Sequence, residues 1–124
     1  FNPAVTTAIL CRGKCNLVEA AAYVIAQLCG GVAAAFTYSA MEGGKTVYLG
    51  PSGSTGEALL GELIFTFLLA FVVLSVATIE SPLSEYFGLA IGSCVTAGGL
   101  AIGSLSGGSL NPAVSAGLAL SDLS

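Results

Sequence analysis

The sequence predicts an all-α membrane protein with three spanning helices and two re-entrant half-helices. Three observations predict it. The triplet Asn-Pro-Ala occurs twice, as Asn2-Pro3-Ala4 and as Asn111-Pro112-Ala113. Three apolar stretches of spanning length lie between the copies. Only 8% of the 124 residues are charged and 55% are hydrophobic, whereas a globular chain carries about 25% charged residues. The mean hydropathy of +0.93 agrees with an integral membrane chain.

Each triplet reads as a helix start. Asn is a preferred N-cap and Pro is favoured at the first helical position. Each copy continues with Val and a hydroxyl residue, Val5-Thr6 and Val114-Ser115. The apolar pieces that follow, residues 3–10 and 112–120, are too short to span, since a spanning helix needs about 20 residues. Their unpaired first-turn N–H groups cannot face lipid. They are expected to be buried in protein or to line a wet cavity, with both Asn caps at a water-filled pathway.

The spans are expected over residues 17–41, 57–79 and 86–105. The first contains Glu19 and Gln27, and the second contains Glu62. The third is rich in Gly, Ala and Ser. Five Gly and Pro51 mark residues 42–56 as a loop, and Glu80 to Glu85 form a short polar turn. Gly30, Gly31, Gly88, Gly92, Gly98, Gly99 and Gly103 can let helix backbones approach. Arg12 and Lys14 place the loop after the first half-helix on the cytoplasmic side. Three spans then put the second half-helix on the opposite side. Identical motifs entering from opposite faces mark an inverted repeat.

Composition also excludes functions. The formal charge of −4 is scattered and argues against a nucleic-acid partner. There is no His, which removes the commonest general base and metal ligand. No Ser or Cys has a base in a recognisable arrangement, so an enzyme is not expected. Cys11, Cys15, Cys29 and Cys94 read as structural thiols rather than a metal site. No cofactor is expected. The chain begins at Phe1 and stops soon after the second half-helix. It is expected to be an internal piece of a longer polypeptide, forming a single partial domain over residues 1–124.

The whole pattern resembles the aquaporin, or major intrinsic protein, family. The resemblance rests on Asn2-Pro3-Ala4-Val5-Thr6, on Tyr23 with Gln27, and on Glu62 with Thr66. It rests also on Ser106-Gly107-Gly108-Ser109-Leu110-Asn111-Pro112-Ala113. It implies a partial aquaporin-like right-handed bundle. It further implies a passive channel for water and small neutral solutes, surrounded by membrane lipid and assembled as a homotetramer. In the family the half-helices meet at mid-membrane with both Asn side chains facing the pore. Two helix N-termini, each carrying about +0.5 elementary charge, would oppose cations there. The Asn amides would donate to a passing oxygen and interrupt a proton relay. The Glu matching Glu62 supports the loop that leads to a half-helix, and Gln27 is taken as a second structural support.

Three positions would form the outer selectivity filter: Gly99, Gly108 and Val114. The family usually carries Arg where this sequence has Val114, and that Arg donates to solutes and repels cations. Gly99 matches glycerol-conducting members, while Ser115 and Ala119 match the water type. The expectation is a wide filter, poor in donors, that passes neutral solutes and water. The alternative is a non-conducting structural subunit of a membrane assembly, which the missing filter Arg leaves open.

Overall fold

The computed structural model describes residues 1–82 and 84–123. Among the described residues, five α-helices follow in order: α1 Pro3–Cys11, α2 Leu17–Met41, α3 Thr55–Ala77, α4 Phe87–Ser106 and α5 Pro112–Asp122. A single 3₁₀ turn, Ser84–Tyr86, leads into α4. No strand occurs among the described residues. The helices α2, α3 and α4 are long and apolar enough to cross a membrane. With 9 and 11 residues, α1 and α5 extend only about 14 and 17 Å at 1.5 Å per residue.

Local chemistry explains the ends of these helices. Asn2 and Asn111 cap α1 and α5, and Pro3 and Pro112 open them. After α1, Gly13 takes φ +72°. Its N–H donates to Leu10 O at 2.9 Å and the N–H of Lys14 donates to Ile9 O at 3.1 Å. Together they make a Schellman stop. Asn16 then starts α2 through a capping box with Glu19: the Glu19 N–H donates to Asn16 Oδ1, and the Asn16 N–H donates to Glu19 Oε2. Glu19 is thereby tied to the backbone. The third helix begins at Thr55 rather than at 57, with Ser54 at the N-cap position.

Both half-helices pack on α2. Thr6, in the middle of α1, pairs with Gln27: the Gln27 amide donates to Thr6 Oγ1 at 2.9 Å. One turn further along α2, Gly31 meets α5. A Cβ on Gly31 would lie 2.3 Å from Ala113 O, and a Cβ on Gly117 would lie 2.3 Å from Gly31 O. Gln27 and Gly31 flank the midpoint of α2. From there α1 runs back toward the start of α2, and α5 runs on toward Tyr38 and the end of α2. The half-helices therefore leave the centre in opposite directions.

The core sits on the other side, where α3 packs on α4. Leu69, Val73, Cys94, Ile102 and Leu110 are buried together, with Val5 and Ile9 of α1 against them. Close helix approach uses fewer glycines than the sequence offers. Gly31, Gly98 and Gly117 have no room for a side chain, whereas a Cβ on Gly30, Gly88, Gly92, Gly99 or Gly103 would meet nothing within 4 Å. Gly117, absent from the sequence-based set, is the partner that Gly31 requires.

Candidate functional site

The site forms where the N-termini of α1 and α5 meet. Each Asn performs the same two tasks. Asn2 Oδ1 accepts the Ala4 N–H at 3.0 Å, and Asn111 Oδ1 accepts the Ala113 N–H at 3.0 Å. These bonds satisfy first-turn donors. The amide nitrogens cross over: Asn2 Nδ2 donates to Leu110 O at 2.7 Å, and Asn111 Nδ2 donates to Phe1 O at 3.1 Å. Each Asn thus holds the carbonyl that precedes the other. A side-chain amide has two N–H groups, so each Asn keeps a second donor beyond this crossing.

Asn2 and Asn111 both line a cavity of about 720 Å³. Val5, Thr6 and Ile9 form its α1 side, Tyr23 and Gln27 its α2 side, and Leu69, Val73, Ile91 and Val95 its apolar wall. Lys14 and Glu19 sit among its lining residues. The macrodipoles of α1 and α5 direct about half an elementary positive charge each toward this junction.

Glu62 organises the approach to α5. Its Oε1 accepts the Ser109 N–H at 3.0 Å and the Ser106 hydroxyl at 2.7 Å. Its Oε2 accepts the Leu110 N–H at 2.9 Å. The loop it holds has Gly107 at φ +93°, Gly108 at φ +61° and Leu110 at φ +49°. A left-handed Leu is sterically unfavourable, and such residues persist only where surroundings hold them. Leu110 is held from three sides: its N–H by Glu62, its carbonyl by Asn2, and its side chain in the space left by Gly98. It is only 1% exposed.

The three expected filter positions lie on two elements and the loop between them. A Cβ on Gly108 would lie 3.0 Å from Gly99 Cα, so Gly108 rests against α4 at Gly99. Val114 instead lines a separate cavity of about 260 Å³ with Tyr38, Val47 and Leu118. Gly108 belongs to the loop pressed on α4, and Val114 to α5, which lies along α2.

The segment between α2 and α3 takes part as well, a role that sequence reasoning missed. Thr46 Oγ1 bonds Asp122 Oδ1 at 2.5 Å, the Ser52 N–H donates to Leu105 O at 3.1 Å, and the Ser52 hydroxyl reaches Ser104 O. Leu49 covers Gly107. Its Gly and Pro content marks a loop, but no local signal names the partners of a loop. Among the described residues, no group of three or more His, Cys, Asp or Glu could hold a metal ion. All four cysteines are free.

Comparison with known proteins agrees with this arrangement. Residues 1–122 match the family model described as "Major intrinsic protein". The chain is 41% identical to "Aquaporin NIP1-1" of Zea mays, covering 97% of this chain and 44% of that protein. It is 41% identical to "Aquaporin NIP1-2" of Arabidopsis thaliana, over 97% of this chain and 44% of the relative. It is 38% identical to "Nodulin-26" of Glycine max, over 94% of this chain and 44% of that protein. The chain spans less than half the length of these relatives. Two capped half-helices that meet at their N-termini, three apolar helices and a family match over nearly every residue lead to one conclusion: this integral membrane chain belongs to the major intrinsic protein family.

Proposed function

We propose that the protein is a passive transmembrane channel for water and small neutral solutes, not an enzyme. The observation that carries this reading is the reciprocal crossing of Asn2 and Asn111, both on the wall of a cavity of about 720 Å³. Each amide retains one N–H that can donate to a solute oxygen passing the junction. Two helix N-termini at the same place raise the energy of a cation there, while a neutral solute feels no such barrier. A water whose oxygen accepts from both amides has its own hydrogens turned away from the junction. That orientation breaks a continuous proton relay. Gly99 and Gly108 add no side-chain bulk or donor at the outer filter, which favours solutes wider than water. The names of the relatives, two of them aquaporins, support the same reading.

The apolar side chains exposed on α3, among them Leu60, Ile64, Phe67 and Phe71, require a covering of lipid or protein. A homotetramer in the bilayer is the assembly proposed.

Reconstitution of the full-length protein in vesicles tests the function. Light scattering after a sucrose, glycerol or urea step reads water and solute flux, and an internal dye reads proton flux. Fast water and solute flux with little proton flux is expected. Fluxes equal to those of protein-free vesicles would overturn the channel and leave a non-conducting structural subunit.

A further inference from the structure

Helix register divides the cavity at the Asn junction into levels. A Cβ on Gly61 would lie 3.1 Å from Ile102 Cγ2, and a Cβ on Gly98 would lie 3.3 Å from Phe65 Cδ1. One turn along α3, from Gly61 to Phe65, is thus one turn back along α4, from Ile102 to Gly98. Continued by two further turns, this register sets Leu69 level with Val95 and Val73 level with Ile91. The half-helix α1 follows the same spacing. It starts where Asn2 holds the Leu110 carbonyl and the Leu110 side chain fills the space at Gly98. At 1.5 Å per residue, Val5 and Ile9 lie about 4.5 and 10.5 Å further along α1. The same steps back from Gly98 along α4 reach Val95 and Ile91.

Two apolar levels result: Val5, Leu69 and Val95, then Ile9, Val73 and Ile91. All six line the same cavity as Asn2 and Asn111. Beyond the second level the wall carries charge. The Lys14 N–H donates to Ile9 O at 3.1 Å, and Lys14 and Glu19 line that end. On the α2 side, Gln27 is engaged with Thr6, and Tyr23 follows one turn on. A solute moving between the Asn junction and the charged end therefore travels about 6 Å, the rise from Val5 to Ile9. Over that distance α1, α3 and α4 offer it only hydrocarbon side chains.

We propose that Val95, with Val5 level with it, is a specificity-determining residue, and that this apolar sleeve ranks neutral solutes by the hydrogen bonds they give up in it. The proposal rests on the pore reading above. The junction does not rank them, because its amides donate alike to any carbonyl or hydroxyl oxygen. In the sleeve a solute that is polar all round leaves donors unpaired. A solute with an apolar edge leaves fewer and gains burial of that edge.

Urea and acetamide form the test pair, because acetamide replaces one urea amino group by a methyl at nearly constant size. Both fluxes and water flux are measured with the full-length protein in vesicles, after subtraction of the protein-free background. The original protein should pass acetamide faster than urea. Val95 is 44% exposed, so Val95→Thr, which keeps the shape, leaves the core untouched. The new hydroxyl can donate to Ile91 O, as Thr96 donates to Gly92 O at 3.0 Å, and still accept from a urea N–H. Val95→Thr should lower the acetamide-to-urea ratio about fivefold, the factor one added hydrogen bond supplies. Val95→Ala removes volume without adding an acceptor and should leave the ratio within about twofold. If Val95→Thr fails to accumulate, Val5→Thr carries the same test. A ratio unchanged by the Thr variant, or lowered as much by Val95→Ala, overturns the sleeve while water conduction leaves the channel standing. An original protein that conducts no water overturns both.

Discussion

Glu62 accepts the N–H of Leu110 at 2.9 Å, and the carbonyl of the same Leu110 takes the Asn2 amide at 2.7 Å. One residue thus joins the carboxylate on α3 to the first half-helix. The left-handed backbone of Leu110, at φ +49°, is what this attachment maintains. Support for the second half-helix and placement of the first are one structural event.

Loss of Glu62 should therefore be felt in stability. Glu62→Ala leaves the Ser109 and Leu110 N–H groups without an acceptor, at a cost of about 1–3 kcal/mol. Glu62→Gln retains one acceptor oxygen and should cost less. Thermal unfolding of the full-length variants in detergent measures both. A Glu62→Ala protein as stable as the original would show that the carboxylate is dispensable.

The two Asn residues separate capping from donation. Asp is as good an N-cap as Asn, but it has no amide hydrogen and adds a negative charge. Asn2→Asp and Asn111→Asp should keep their helices, lose the crossing bonds to Leu110 and Phe1, and admit cations more readily. Sodium and proton fluxes in vesicles should rise while the helical content by circular dichroism stays unchanged. Unaltered cation exclusion in both variants would remove the junction from the barrier.

Neighbouring glycines on α2 should respond with opposite signs. Gly31→Ala puts a Cβ 2.3 Å from Ala113 O, so α5 must shift. Overpacking of this kind costs about 1–3 kcal/mol. Gly30→Ala meets nothing within 4 Å and should stabilise the helix by roughly 0.5–1 kcal/mol. Melting temperatures of the two variants, taken side by side, check the sign of each.

Val114→Arg should restore a cation beside the route along α5. Its long side chain can lie over Val47 and Leu118 with the guanidinium turned toward water. Glycerol and urea flux should fall while water flux is largely spared. Measurement of all three in the same vesicles decides whether position 114 governs solute size.

Much of the architecture is legible in the amino-acid sequence. The membrane class, the three spans and the two short helices follow from composition, length and the Asn-Pro pairs. These are local properties: an N-cap bond joins residues two apart, as in Asn2 to Ala4 and Asn111 to Ala113. The family resemblance points to Glu62 and Gln27, but it names neither the Ser106 hydroxyl nor Thr6 as their partners. It also groups Val114 with Gly99 and Gly108, but it does not say that Gly108 rests on Gly99 or that Val114 lines a cavity with Tyr38 and Val47.

By itself, then, the sequence determined where helices begin, which of them can cross a bilayer, and that two alike half-helices exist. Only the tertiary structure decided that Asn2 reaches Leu110, a partner 108 positions away. It alone paired Gly31 with Gly117, and set Val47 in the cavity of Val114. Caps and hydropathy are fixed by neighbours along the chain. Contacts between distant residues depend on how closely helices can approach, and that closeness is a property of the packed backbone.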